Sequence, residues 1–287
     1  SWRSVLKLSS RCALILPRPA PSEQREQRAF VHCDHQYCYW GAPKWTITWR
    51  GKAHDGAFGM MAALTRAIEE GYPLLDGAYL ASVDPGEFRH LLRGTAPIPL
   101  EAERLAIWHE CGPVLDREFG GRWHEIVQRA GGSAVRLVQL LATHFPSFDD
   151  VVEFEGQRVA FYKRAHLAAG MVYQAFGGRT WGAFADFGQL TVYADYKLPQ
   201  VLRKLGILVY DETLATLVDT QTPVPAGSRM EVEIRAATVW ACELMREAIL
   251  PRAPGLTAAH IDYWLWETSQ KKLPGDRPYH RTRTTAY

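Results

Sequence analysis

The alternation of apolar and polar residues changes period several times along the chain. From Lys44 to Arg50 (Lys-Trp-Thr-Ile-Thr-Trp-Arg) it has period two, and Arg50-Gly51-Lys52 follows as a turn; this predicts one arm of a β-hairpin. Gly59 to Glu70 then switches to helical spacing and stops at Gly71, a C-terminal signal. The same spacing predicts helices near 84–92, 100–119, 122–129 and 133–143. A short strand and turn is expected around Gly156, then a long helix over 159–176 ending at Gly177-Gly178. Beyond it the pattern predicts a short strand at 190–193 and helices at 198–205, 211–218, 230–250 and 257–271. Pro199 suits a first helical turn, because its missing N–H is not needed there, and Thr257 suits an N-cap. An aromatic-laden helix is expected near 25–39, after the Pro-rich connector at 17–24. The sum is a mainly α fold: an N-terminal segment over 1–24, then a single helical domain over 25–287 with a small β-hairpin element.

Two acidic-aromatic blocks stand out from this pattern, Tyr193-Ala-Asp-Tyr-Lys-Leu-Pro-Gln-Val-Leu202 and Ile261-Asp-Tyr-Trp-Leu-Trp-Glu267. Each sets a carboxylate among rings beside a segment that reads as buried helix. Such a carboxylate is costly unless it is paired, hydrogen-bonded or used in chemistry. Flanking rings suit a flat polar ligand, as in a nucleobase pocket.

Composition narrows the partners. Lys and Arg total 33 against 31 Asp and Glu, a formal charge of +2, so a broad phosphate-tracking surface is not expected and a small anionic ligand is. The five cysteines are odd in number and form no CxxC, which fits reduced thiols in a cytoplasmic protein. No stretch is long and apolar enough to span a membrane. The histidines His32, His35, His260 and His280 lack companions at metal spacing, and the Gly-Gly pairs lack a following Lys-Ser/Thr, so no metal and no cofactor is expected.

Taken in order, Ala194-Asp-Tyr-Lys-Leu-Pro-Gln-Val-Leu202, Arg229-Met-Glu-Val-Glu-Ile-Arg235 and Ile261-Asp-Tyr-Trp-Leu-Trp-Glu267 closely resemble the queuosine salvage proteins, the queuosine 5′-phosphate N-glycosylases. The helix Phe161-Tyr-Lys-Arg-Ala165, the run Ala62-Ala-Leu-Thr-Arg-Ala67 and the segment from Pro278 to Tyr287 extend the resemblance from about residue 30 onward. It implies an all-α fold related to helix-hairpin-helix DNA glycosylases. The implied activity is hydrolysis of the N-glycosidic bond of queuosine 5′-phosphate to queuine and ribose 5-phosphate, with a small-molecule substrate and no nucleic-acid polymer. Polymer-acting glycosylases usually carry a Gly-rich hairpin where this chain has Leu198-Pro-Gln-Val-Leu202. A non-catalytic carrier of queuine or its nucleoside is the other alternative. Where relatives show Asp-Thr-Leu-Asn-Phe, this chain has Asp34-His-Gln-Tyr-Cys38, so the resemblance assigns no ligand contact there.

By resemblance Asp262 is the catalytic aspartate. Breaking a C1′–N bond builds an oxocarbenium-like sugar, which a carboxylate stabilises, attacks, or meets with an activated water. Asp195 is expected to accept the adjacent N1–H and N2–H₂ donors of a guanine-type base, with Tyr193 and Ala194 beside it; a helix-capping role is compatible with this. Tyr263 and Glu267 are expected at the substrate, Glu267 at the cationic arm of queuine. Glu267 lies about 140° round an ideal helix from Asp262, so the two meet different parts of a ligand. For the phosphate, Lys197 is the first candidate, followed by Lys163 and Arg235.

Overall fold

The computed structural model describes residues 29–287. The connector at 17–24 and the start of the helix expected over 25–39 lie outside the described residues. Within that expected helix, helical geometry covers 29–33 and gives way to turns by residue 34.

Strands β1 (Thr46–Trp49) and β2 (Lys52–Asp55) pair antiparallel, with Trp49 opposite Lys52. The two-residue loop Arg50-Gly51 has positive φ at both positions, the geometry that matches strand twist in tight hairpins. A second hairpin, β3 (Val151–Phe154) and β4 (Gln157–Ala160), repeats the device at Glu155-Gly156. The expected 159–176 helix therefore begins later, as α7 (Lys163–Phe176), because residues 157–160 are committed to β4.

Helix α1 (Gly56–Glu69) follows the first hairpin, and α2 (Gly77–Ser82) and α3 (Pro85–Leu91) are short. Next come α4 (Glu101–Phe119), α5 (His124–Ala130) and α6 (Ala134–His144). After α7 the chain continues as α8 (Lys197–Lys204), α9 (Glu212–Asp219), α10 (Arg229–Ile249) and α11 (Ala258–Ser269). The described residues are mainly helical with two small hairpins.

The larger core cluster gathers Phe30, Trp45, Trp108, Trp123, Phe145 and Phe148 with the inner faces of α1, α4, α6 and α7. A smaller cluster joins α8, α10 and α11 through Leu198, Val201, Leu202, Cys242, Ile261 and Leu265. Tyr193 and Ala259 belong to the first cluster, their neighbours Val192, Ala258 and Ile261 to the second. The seam between the clusters thus runs through the two acidic-aromatic blocks.

Residues 190–193 form no strand. This stretch is irregular, and the Tyr193 N–H that a sheet would have used donates instead to Asp262 Oδ2 at 2.7 Å.

Candidate active site

A cavity of about 1130 Å³ opens along this seam. Helix α7 gives it Lys163, Leu167, Met171 and Gln174, a spacing of four, four and three that keeps one helix face turned inward, and its last residues Ala175 and Phe176 add to the wall. Helix α11 contributes Asp262, Tyr263, Trp266 and Ser269 on the same principle, and its C-cap Gln270 adds to the wall. Glu267 falls off that face and is not among the lining residues. The sequence geometry that separated it from Asp262 holds, and its expected ligand contact does not follow.

The start of α11 is fixed by its cap. Thr257 is the N-cap; its N–H donates to His260 Nδ1 at 3.1 Å, and Oγ1 lies 2.7 Å from the same nitrogen. His260 thus takes the place of the acid in a capping box, which accounts for this histidine structurally. Two residues on, Asp262 is buried. Burial pushes its carboxyl well above the ordinary carboxylate range, and the nearby Asp195 charge pushes the same way. The Tyr193 N–H and the Lys163 ammonium pull back towards the ionised form.

Asp195 caps α8. Its Oδ1 accepts from Lys197 N at 2.7 Å and Leu198 N at 3.2 Å, and the following Pro199 has no N–H to satisfy. Both bonds use one oxygen, so Oδ2 keeps acceptor capacity, and Asp195 is a lining residue of the cavity. Tyr193 also lines the cavity, its ring lying so close to α7 that a Cβ on Gly170 would come within 2.0 Å of the phenol oxygen. Ala194 does not line the cavity; its carbonyl accepts from Arg235 Nε at 3.3 Å.

Lys163 is buried at the cavity wall, its ammonium donating to the Gln36 carbonyl at 2.8 Å. Burial lowers its proton affinity, while Asp195 and Asp262 raise it. Arg235 was expected near phosphate, but it lies outside the cavity lining. Its guanidinium meets both Asp150 oxygens, with Glu231 at 3.6 Å, and is stacked between the Phe161 and Tyr287 rings at 4.0 and 4.5 Å. Asp150 in turn accepts from Lys163 N at 3.1 Å. Arg235 therefore holds the first turn of α7 and the 193–195 loop together, and it has no charge to spare for a ligand.

A family model described as queuosine salvage protein matches residues 23–287. The chain belongs to the queuosine salvage protein family. A queuosine 5′-phosphate N-glycosylase/hydrolase of Sphaerobacter thermophilus is 45% identical over 251 residues, which cover 88% of this chain and 78% of that protein. Proteins of the same name from Bos taurus and Mus musculus are 33% and 34% identical across the whole chain, covering 86% of each.

In this family member, sequence reasoning missed a whole wall of the cavity: His32, Gln36, Tyr37 and Tyr39 all line it. That segment is held in place by Arg104, which donates to the carbonyls of Pro99, His35 and Tyr37 at 2.6 to 2.8 Å. The aromatic density of 30–40 is the signal for this wall, in a stretch whose pattern alone predicts helix and which is helical only over 29–33. Lys44, Asp55, Phe58, Lys272, Tyr279 and Tyr287 were also missed, because they converge only through tertiary packing. Among the described residues no group of three or more His, Cys, Asp or Glu is placed to hold a metal ion, and no helix is long and apolar enough to cross a membrane.

Proposed function

We propose that this chain hydrolyses the N-glycosidic bond of queuosine 5′-phosphate, releasing queuine and ribose 5-phosphate, with Asp262 as the catalytic carboxylate. The observation that carries the reading is the pairing of buried Asp262 with half-buried Asp195, both lining one ring-walled cavity in a chain of this family. Asp195 accepts the N1–H and N2–H₂ donors of the deazaguanine through its free oxygen, while Tyr193 and Tyr263 wall the base. Asp262 faces the ribose. As the C1′–N bond breaks, its electron pair passes to the base nitrogen, and Asp262 meets the positive charge that grows on the sugar. Water then supplies the hydroxyl at C1′ and a proton for the departing base. A 7-deaza base has no N7 to protonate, so sugar-side stabilisation bears more of the barrier than in an ordinary purine hydrolase.

Lys163 balances the charge of the two carboxylates, and Glu267 and Arg235 are left out of the proposed contacts. The relationship to helix-hairpin-helix DNA glycosylases and a cytoplasmic setting belong to the same proposal. A free nucleotide is favoured over a polymer by the near-neutral charge and by the absence of a Gly-rich hairpin at Leu198–Leu202. Chromatography of queuosine 5′-phosphate incubated with the protein tests the reading: queuine and ribose 5-phosphate should appear together in equal amounts. Retention of intact nucleotide by a protein that binds it would make the chain a carrier.

A further inference from the structure

Arg179 aside, the charged Asp and Lys residues of the cavity fall into two groups. Asp195, Asp262 and the buried Lys163 form an inner set, which is net negative when both carboxylates are ionised. Lys44, Lys197 and Lys272 with Asp55 form an outer set, in which Lys44, Asp55 and Lys272 are solvent-exposed and Lys197 is half-buried. Three ammonium groups against one carboxylate leave this end positive.

We propose that the outer set is a phosphate subsite, in which Lys197 and Lys272 grip the substrate's 5′-phosphate with Lys44 beside them, so that the enzyme selects nucleotide over nucleoside. This rests on the glycosylase reading above and adds to it where the substrate's charge goes. A phosphate monoester carries roughly −1.5 to −2 at neutral pH. Set beside Asp195 and Asp262 it would add to an existing excess of negative charge, and the one cation there already serves both carboxylates and the Gln36 carbonyl. At the outer set it meets charge of the opposite sign and similar size.

The arrangement of the lysines supports this. Lys44 pairs with Asp55, but among the described residues no carboxylate lies within ion-pair distance of Lys197 or Lys272. Burial opposes the Lys197 charge most, Asp195 and Asp55 favour it, and Lys272 and Lys44 oppose it, so a bound anion would add support to a partly desolvated ammonium. Aromatic rings hold the Lys197 side chain in place of a counter-ion, with its ammonium 4.6 Å from the Tyr279 ring centroid and 5.9 Å from that of Tyr196. Tyr279 and Tyr196 line the same cavity. Lys197 also follows Asp195 by two residues, so one short segment spans the base end and the phosphate end of the ligand.

The test compares kcat/KM for queuosine 5′-phosphate and for queuosine in wild type, K197Q, K272Q, the double variant, K163Q and R179Q. Arg179 is a further cavity-lining cation, apart from both sets. The nucleotide-to-nucleoside ratio should fall roughly tenfold for each mouth lysine removed, as expected for a lost charge-assisted hydrogen bond. K163Q and R179Q should leave that ratio near the wild-type value. A ratio preserved in the double variant, or lost in K163Q or R179Q alone, overturns the subsite. Calorimetric binding of ribose 5-phosphate separates this proposal from the reaction itself. If the wild type cleaves neither substrate, the glycosylase reading fails, yet ribose 5-phosphate should still bind roughly tenfold more weakly for each mouth lysine lost. Equal affinity in wild type and double variant overturns the subsite in that case too.

Discussion

At the scale of single residues, the site depends on side chains that do two jobs with separate atoms. Asp195 caps α8 through Oδ1 and leaves Oδ2 for a ligand. Asp195→Asn keeps an oxygen for the cap but presents an amide to donors on the base. It should lower kcat/KM roughly 10- to 100-fold with little change in melting temperature, whereas Asp195→Ala should lose activity and stability together. Thermal melts beside steady-state kinetics check the split; equal melting losses in both variants would deny the separation. Tyr193 likewise holds Asp262 by its backbone and packs its ring on Gly170. Gly170→Ala puts a methyl where the phenol oxygen lies, and should displace that ring and depress turnover although Ala favours helix. An unchanged kcat would show that the ring's position is immaterial. Asp262 must be ionised to meet positive charge, and its burial raises its pKa. The acid limb of kcat/KM should therefore lie above the ordinary carboxylate range, activity being lost as pH falls through that raised value.

At the scale of elements, what the sequence disclosed divides along physical lines. The hairpin at Arg50-Gly51, the cap at Thr257, Pro199 in the first turn of α8 and the stop at Gly177 were legible because each is decided within four or five neighbouring residues. The start of α7 lies later than the expected residue 159, since Val159 and Ala160, apolar enough to extend the helix, pair instead with Val152 and Val151. The strand expected at 190–193 failed for a related reason: its pattern is right, but the partner for its N–H is a carboxylate on α11. Asp262, Asp195, Tyr193, Tyr263, Lys163 and Lys197 were found from ordered motifs and all line the cavity. Arg235 came from an equally good motif, but its burial against Asp150 makes it a clamp between α10, α7 and the 193–195 loop. Arg235→Gln leaves Asp150 and Glu231 buried without their cation, at a cost of about 3–5 kcal/mol. Denaturant unfolding should show that loss, and a stable but inactive variant would instead favour a direct role at the ligand.

At the scale of the whole molecule, two core clusters meet along one seam and the chemistry occupies it. Segments distant in sequence tie the seam: Cys38 N donates to the Tyr287 carbonyl at 3.0 Å, and Arg164 donates to the Thr285 carbonyl at 3.1 Å. His280 is sealed into this joint, its ring 5.9 Å from that of Tyr287, and burial lowers its pKa to about 3. A histidine held neutral in the fold but free to protonate when unfolded supports stability above about pH 6.5, and that support is lost as pH falls towards 3. The stability of wild type relative to His280→Gln should accordingly shrink on acidification by up to about 1.4 kcal/mol per pH unit, read from denaturant melts at several pH values. A difference independent of pH would mean that His280 is not held neutral. The central claim is that Asp262 acts on the ribose while the rest of the cavity binds. It is tested most directly by single-turnover cleavage of queuosine 5′-phosphate by wild type and Asp262→Asn, with nucleotide affinity measured on the same samples. The account predicts that the variant binds within about tenfold of wild type and that its cleavage rate falls by roughly a thousandfold or more. Cleavage at the wild-type rate by a variant that still binds would contradict it.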